Sequence, residues 1–318
     1  MRNIRTGLAL AIAAFSAAAR AQQAQGFAVE RLYPSAPGAG WFVMDDLSQQ
    51  GGLGGAVSLS LGYAHLPLEV RSADGAQGLA VVRHQTFARI GMAATYDRFR
   101  LHASFASPLY LSGDSGAAGG WQFTRPVVNV EQNPDAISDV QLGFDARLFG
   151  DPKSPARIGA SAQLIFPSGD RADYLTDDTY RGMVRMLFAG EAGRITWAGH
   201  VGVHLRPLSD DKVPGSPRGS ELLFGVAAGT RMSVPGGSLL IGPEIFGATA
   251  LRSFGGGETT ALEGLLGARL DGFGSGGLAF VLGAGAGIHP RFGAPQWRAI
   301  VGVELAGHAP PPGQASAR

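Results

Sequence analysis

Asp139-Val140-Gln141-Leu142-Gly143-Phe144-Asp145-Ala146-Arg147-Leu148-Phe149 is the stretch that decides how this chain folds. Val140, Leu142, Phe144, Ala146 and Leu148 share one parity, and Asp139, Gln141, Gly143, Asp145 and Arg147 share the other. A period of two places successive side chains on opposite faces of a sheet. One amphipathic strand fits a soluble sandwich with its polar face in water as well as a membrane barrel with its polar face turned inward. The rest of the chain separates the two.

The opening residues read as a secretory signal: Arg2 and Arg5, an apolar run Leu8 to Ala18, and the small-x-small site Ala19-Arg20-Ala21 before Gln22. That apolar run is too short to anchor in a bilayer, and no run of about eighteen apolar residues follows it, so no transmembrane helix is expected. Cysteine is absent, which removes disulfides, thiolate chemistry and cysteine-ligated metal. A net charge of +1 argues against a nucleic-acid partner. Charged residues make up 16% of the chain, low against the usual quarter or so, while glycine is abundant at 49 residues. An exported, helix-poor, glycine-rich chain of this kind is either a β-sandwich or an outer-membrane β-barrel.

The same alternation recurs along the chain. Residues 22–55 are aperiodic and rich in Gly, Pro and Gln, and read as a periplasmic lead-in to a barrel over 56–306, with a Pro-rich tail over 307–318. In the barrel region Val57, Leu59, Leu61 and Tyr63 oppose Ser58, Ser60, Gly62 and Ala64. Ile195, Trp197, Val201 and Val203 oppose Arg194, Thr196, His200, Gly202 and His204. About twelve such stretches occur, each close to the ten residues that a tilted transmembrane strand needs. The connections centred on Ala73, Ala118, Asp173, Asp211, Gly255 and Arg291 alternate with tight ones at Asp97, Gly150, Gly190, Pro235 and Gly274. Long loops on one side and short turns on the other are the habit of outer-membrane barrels and not of sandwiches. Tyr63, Tyr96, Phe99, Phe149, Phe166 and Trp297 stand at strand ends, where interfacial aromatic girdles lie. The expected fold is therefore all-β, an antiparallel up-and-down transmembrane barrel of about twelve strands, with outer-membrane lipid as its surroundings.

Closure puts the polar parity in the lumen. The residues expected to line it are Arg89, Arg100, His102, Asp139, Asp145, Arg147, Arg157, Arg185, His200, His204, Glu221, Arg231, Glu244, Glu263, Arg269 and Glu304. Charges of both signs either border a narrow watery pore for small hydrophilic solutes or pair across it and plug it. In the first case neutralising Arg100 or Arg147 shifts ion selectivity. The inward glycines Gly62, Gly91, Gly143, Gly159, Gly225, Gly242, Gly267 and Gly283 suit a wall that must bend.

Several residue groups together carry a likeness to a known family: Phe27 with Arg31-Leu32-Tyr33-Pro34, Tyr63-Ala64-His65 with Pro67-Leu68, Tyr96-Asp97-Arg98-Phe99, Asp139-Val140-Gln141-Leu142-Gly143, Phe166-Pro167-Ser168-Gly169-Asp170 and Gly242-Pro243-Glu244. From Phe27 to Leu305 the chain resembles the N-terminal barrel region of large OmpA-type outer-membrane proteins of Gram-negative bacteria. The resemblance implies a membrane-embedded barrel joined to a peptidoglycan-binding domain, and the short tail beyond Leu305 offers no counterpart for that domain.

Other chemistries were weighed. His200 and His204 on one inward face, with Ser161 on a neighbouring hairpin, raise a lipid hydrolase, which needs nucleophile and base within hydrogen-bond reach. Such enzymes usually work at the lipid-facing surface, and these histidines point in. Asp170, Asp173, Asp177 and Asp178 offer carboxylates to a hard cation such as calcium, but match no EF-hand and are interleaved with Arg171 and Arg181. Gly283-Ala284-Gly285-Ala286-Gly287 lacks the helix a dinucleotide loop requires. No GxSxG, HExxH or P-loop occurs, so no catalytic residue, cofactor or metal is assigned. A closed barrel that binds partners through the Ser112 to Ile137 loop is the alternative to a pore.

Overall fold

The structure, a computed structural model, describes residues 22–71, 78–152, 154–208, 219–273, 277–290 and 293–308. The expected signal segment and the tail beyond 308 lie outside them. Twelve strands form one ring: β1 (Leu53–Arg71), β2 (Gly78–Tyr96), β3 (Phe99–Ser112), β4 (Val140–Phe149), β5 (Arg157–Phe166), β6 (Arg181–Ala192), β7 (Ile195–Leu205), β8 (Glu221–Val234), β9 (Gly237–Ala250), β10 (Thr260–Phe273), β11 (Leu278–His289) and β12 (Trp297–His308). Each pairs antiparallel with the next, and β12 pairs with β1 from Trp297↔His65 to His308↔Gly54. Closure leaves no strand edge unpaired in hydrocarbon, which is the condition for a sheet to cross a membrane.

The parity read from the sequence is the parity of the wall. Val57, Leu101, Val184, Val226 and Leu282 are exposed on the outer surface, whereas Arg100, Arg185, Glu221 and Glu244 are buried within. Leu282 and Gly283 show the rule in adjacent residues: Leu282 is 60% exposed to the outside, and Gly283 faces in against Phe42.

Two stretches differ from the expectation. Leu66 to Arg83 reads as a connection, yet β1 and β2 continue through it as far as Arg71↔Gly78. Leu66, at φ 51°, and Pro67 make a bulge that shifts the register between His65↔His84 and Leu68↔Val82, which hides the alternation. The turn expected at Gly190 falls instead at Gly193-Arg194, with Gly193 at φ 65°.

The larger correction concerns residues 22–55. Instead of leading in from outside, residues 22–50 run through the lumen. Gln22 and Gln23 pair in parallel with Trp121 and Gln122 of the loop after β3, at the end of the barrel that carries the long loops. The chain then descends to enter β1 at the opposite end, so this lumenal segment traverses the whole barrel. Ala24, Phe27 and Val29 pack with Leu68, Val81, Val82, Leu111, Tyr174 and Leu175 near the loops. Leu32, Trp41, Val43, Met44 and Leu47 pack deeper, against Leu187, Ala198, Leu240, Phe246, Leu265 and Ile300 of the wall. The inward glycines make room for this filling: a Cβ on Gly283 would lie 2.8 Å from Phe42, and one on Gly159 2.7 Å from Leu47.

Neighbouring substitutions on opposite faces should therefore act differently. Leu282→Arg places a cation in lipid and is expected to cost the barrel about 2–4 kcal/mol, read as loss of the heat-modifiable folded band on a gel. Gly283→Val is expected to keep that band while displacing Phe42, read as faster proteolysis of residues 22–50.

Candidate functional site: the lumen and the segment that fills it

The segment has no regular structure of its own, so its backbone polar groups need partners on the wall. Glu244 supplies the central one. Its carboxylate, fully buried, accepts hydrogen bonds from the backbone N–H groups of Phe42 (2.7 Å), Val43 (2.9 Å) and Met44 (3.0 Å). Three converging donors disperse one negative charge, the arrangement by which backbone nests hold anions. At the turn end Arg147 donates to the carbonyls of Leu47 (3.2 Å) and Gln49 (2.7 Å), and Gly38 N–H donates to Glu304 (3.0 Å).

Ion pairs hold the two ends. Near the loops Arg31 meets Glu221 at 2.9 Å, Arg298 meets Glu30 at 3.1 Å and pairs with Glu263, and Arg206 bridges Asp177 at 2.6 Å and Glu221 at 3.1 Å. Arg181 pairs with Asp139, and His204 sits 3.3 Å from Glu221 and 3.4 Å from the Tyr33 hydroxyl. Near the turns Arg100 joins Asp45 to Asp145, with His102 also 3.4 Å from Asp145. Arg269 bridges Glu304 (2.8 Å) and Asp271 (2.7 Å), Arg231 lies between Asp46 and Asp271, and Arg157 reaches Glu191 at 3.5 Å. Buried charges tolerate removal from water only when so paired.

Of the sixteen residues expected to line the lumen, Arg100, Arg147, His204, Glu221, Arg231, Glu244 and Glu304 hold the lumenal segment directly. Sequence reading missed the other halves of these pairs, Glu30, Arg31, Asp45 and Asp46 in the lumenal segment, along with Arg181, Arg206 and Arg298 on the wall. Their types gave a signal: charges in an otherwise apolar, aperiodic stretch needed partners. Ser161 is engaged by Arg185 (3.3 Å) and His204 by Tyr33 and Glu221, so no Ser–His pair is assembled among the described residues. Of the four carboxylates considered for calcium three have protein partners: Asp173 accepts from Val127 N–H at 3.1 Å, Asp170 from Ala172 N–H at 2.8 Å, and Asp177 is tied to Arg206.

Among the described residues four cavities lie between the lumenal segment and the wall, and three of them form a series with shared lining residues. One of about 40 Å³ near the loops is lined by Glu30, Leu32, Gln85, Phe87, Arg89 and Asp139. A second, of about 70 Å³, shares Leu32, Phe87 and Arg89 with it and continues past Ser58, Ser60 and Glu244 to Gly40 and Arg269. Gly40 and Arg269 also line the third, an open vestibule of about 670 Å³ at the turn end with Asp46, Asp151, Arg231 and Asp271. Arg89, buried at the first junction, has no carboxylate within 4 Å among the described residues, and its Nε and Nη1 have no hydrogen-bond partner there.

A closed twelve-strand antiparallel barrel with an apolar outer band and a charged interior defines the chain as a β-barrel of the outer-membrane type. No family model matches it, and no curated protein matches it in sequence. Among solved structures it is similar to an outer membrane channel from Pseudomonas putida F1, at 15% identity and a TM-score of 0.51, over 81% of this chain and 96% of that one. Weaker similarities link it to the β domain of the Bordetella autotransporter BrkA (13% identity, TM-score 0.40, 79% and 98% covered) and to a bacterial polysaccharide outer membrane secretin (9%, TM-score 0.40, 80% and 98%). The likeness to the Pseudomonas channel is one of fold, and it is not specific to OmpA-type proteins.

Two predictions concern the tethers. Glu244→Ala leaves three buried N–H groups unpaired, at about 1–3 kcal/mol each, and should abolish the hydrogen-exchange protection of Phe42 to Met44, whereas Glu244→Gln, which keeps a carbonyl acceptor, should lose less. At Asp177, burial opposes the charge, but the guanidinium of Arg206, with Arg181 behind it, outweighs burial and holds the carboxyl well below the usual range. A depressed carboxylate contributes fully above its unfolded-state value of about 3.9 and is lost only as pH falls through the lower folded value. Protection of the Ala28 amide, which donates to Asp177 at 2.9 Å, should therefore persist from pH 7 to pH 4 and vanish at pH 7 in Asp177→Ala.

Proposed function

We propose that this chain is a non-enzymatic outer-membrane channel, exported through its amino-terminal signal, that passes small hydrophilic solutes along the cleft between its lumenal segment and the barrel wall. The observation that carries this reading is the series of three cavities that share lining residues in turn, from the loop end to the turn end. The strand and turn signatures shared with OmpA-type barrels agree with a place in the cell envelope. The alternative, partner binding through the loop after β3, is less favoured because that loop is engaged internally, pairing Trp121 and Gln122 with Gln22 and Gln23.

The narrow junction at Leu32, Phe87 and Arg89 is the filter in this reading. Its guanidinium lacks a carboxylate partner among the described residues and stands 5.7 Å from the Phe87 ring centroid. A buried cation whose nearest carboxylate, Glu30, stands beyond ion-pair distance attracts anions and repels cations. Arg147, by contrast, spends its donors on the backbone of Leu47 and Gln49, so it acts as a tether and not as the filter expected from sequence.

Planar-bilayer recordings of the refolded protein test this. Small discrete conductance steps with anion preference are expected, shifting toward cations in Arg89→Ala and further in Arg89→Glu. Deleting residues 22–50 should raise the step size several-fold. A folded wild type that carries no current at any voltage would sink the channel reading.

A further inference from the structure

The outer wall holds one group that neither a lipid-facing band nor an aromatic girdle explains. On the loop-end side of β1, the outward parity Val57, Leu59, Leu61 continues to Tyr63 and His65. Directly across on β2 stands His84, paired in register with His65, and across on β12 stands Trp297, also paired with His65. Tyr63 and Trp297 are ordinary interfacial residues. Two adjacent imidazoles on the same surface are not, because each brings nitrogen atoms that need polar partners to the edge of a hydrocarbon layer.

We propose that His65 and His84, with the Tyr63 hydroxyl, form a site for a divalent transition-metal ion. Both Nδ1 atoms face one point: the Tyr63 hydroxyl lies 2.7 Å from Nδ1 of His84 and 3.3 Å from Nδ1 of His65. In the absence of an ion that hydroxyl donates to one nitrogen and accepts from the other imidazole, protonated at Nδ1; an ion seated between them would instead use both imidazole lone pairs and the phenol oxygen together. The ring centroids of His65 and His84 are 5.2 Å apart. Two imidazoles bound to one tetrahedral ion, with metal–nitrogen bonds of about 2.0–2.1 Å, place their ring centres about 5 Å apart, so the pair needs little movement to bind. Imidazole nitrogen with no carboxylate selects copper, nickel or zinc over calcium or magnesium, and the ordinary affinity order favours Cu²⁺. The nearest cation, Arg83, is already paired with Asp114, which reduces its opposition to a metal charge. Water completes the coordination from the interfacial side.

The position gives the site a consequence. His65↔His84 is the last regular pair before the Leu66-Pro67 bulge, and beyond it the inner face of the same hairpin, at Leu68, Val81 and Val82, packs on Ala24, Phe27 and Val29 of the lumenal segment. An ion that clamps His65 to His84 stiffens the support on which that segment rests.

Cu²⁺ titration of the detergent-refolded protein, followed by tryptophan emission, tests this. Trp297 lies 4.8 Å from Tyr63 and 5.9 Å from His65, ring centroid to centroid, within quenching range of a bound Cu²⁺. The wild type should show saturable quenching at one equivalent. Losing a direct ligand should weaken binding by about tenfold or more, since even outer-shell losses cost that much. His65→Gln and His84→Gln keep a polar group near Tyr63 on a lipid-edge surface and should keep the heat-modifiable band. Trp297→Phe should abolish most of the quenching while the spectrum of bound Cu²⁺ retains its two-nitrogen hyperfine pattern. Absence of one-equivalent binding in folded wild type, or the same affinity in the double glutamine variant, would overturn the site.

Discussion

A closed ring of twelve strands encloses more space than its own inward side chains can fill, and that mismatch governs the rest of this molecule. The ring itself is required, since an open sheet edge in hydrocarbon would strand its backbone groups. Once closed, the lumen must hold either water or protein. Here it holds twenty-nine or so residues of the chain's own amino-terminal region, and the inward surface is built to receive them: glycines where Phe42 and Leu47 press on the wall, leucines where Trp41 and Met44 pack, and carboxylates or guanidiniums where the segment presents backbone or charge.

The tethers differ in kind along the axis. In the middle, Glu244 binds three backbone amides, so the hold is on the chain's path and not on any side chain. At the two ends the hold is by ion pairs such as Arg31 with Glu221 and Arg100 with Asp45. Breaking one partner of a buried pair is costly because the other is left charged without compensation, so the segment is held as a unit. Beside it two cavities meet at Leu32, Phe87 and Arg89, and a buried cation there acts on its surroundings far more strongly than the same cation in an open, hydrated lumen.

The same wall serves two solvents. Its outer face meets lipid with Val, Leu and Ile, and its inner face meets the lumenal segment with a mixture of Leu, Gly, Arg and Glu. At the rim, around Tyr63, His65, His84 and Trp297, the outer face carries groups able to do more than dissolve in lipid.

The sequence by itself determined the barrel, its approximate size and which residues point out, because lipid admits only apolar side chains along one parity and that demand leaves a period of two in Val140 to Leu148 and its counterparts. It also placed the charges Arg100, Glu221 and Glu244 inside. What those charges do was decided only by tertiary structure. Residues 22–50 have no periodicity to betray a location, and their apolar residues, Phe27, Leu32, Trp41 and Met44, could equally belong to a connecting arm. Inward Leu187, Leu240, Phe246 and Leu265 hinted at a filling, but a hydrophobic contact has no direction and does not name its partner. The partnership of Glu244 with three amides at least 200 residues away exists only once the ring has closed around them.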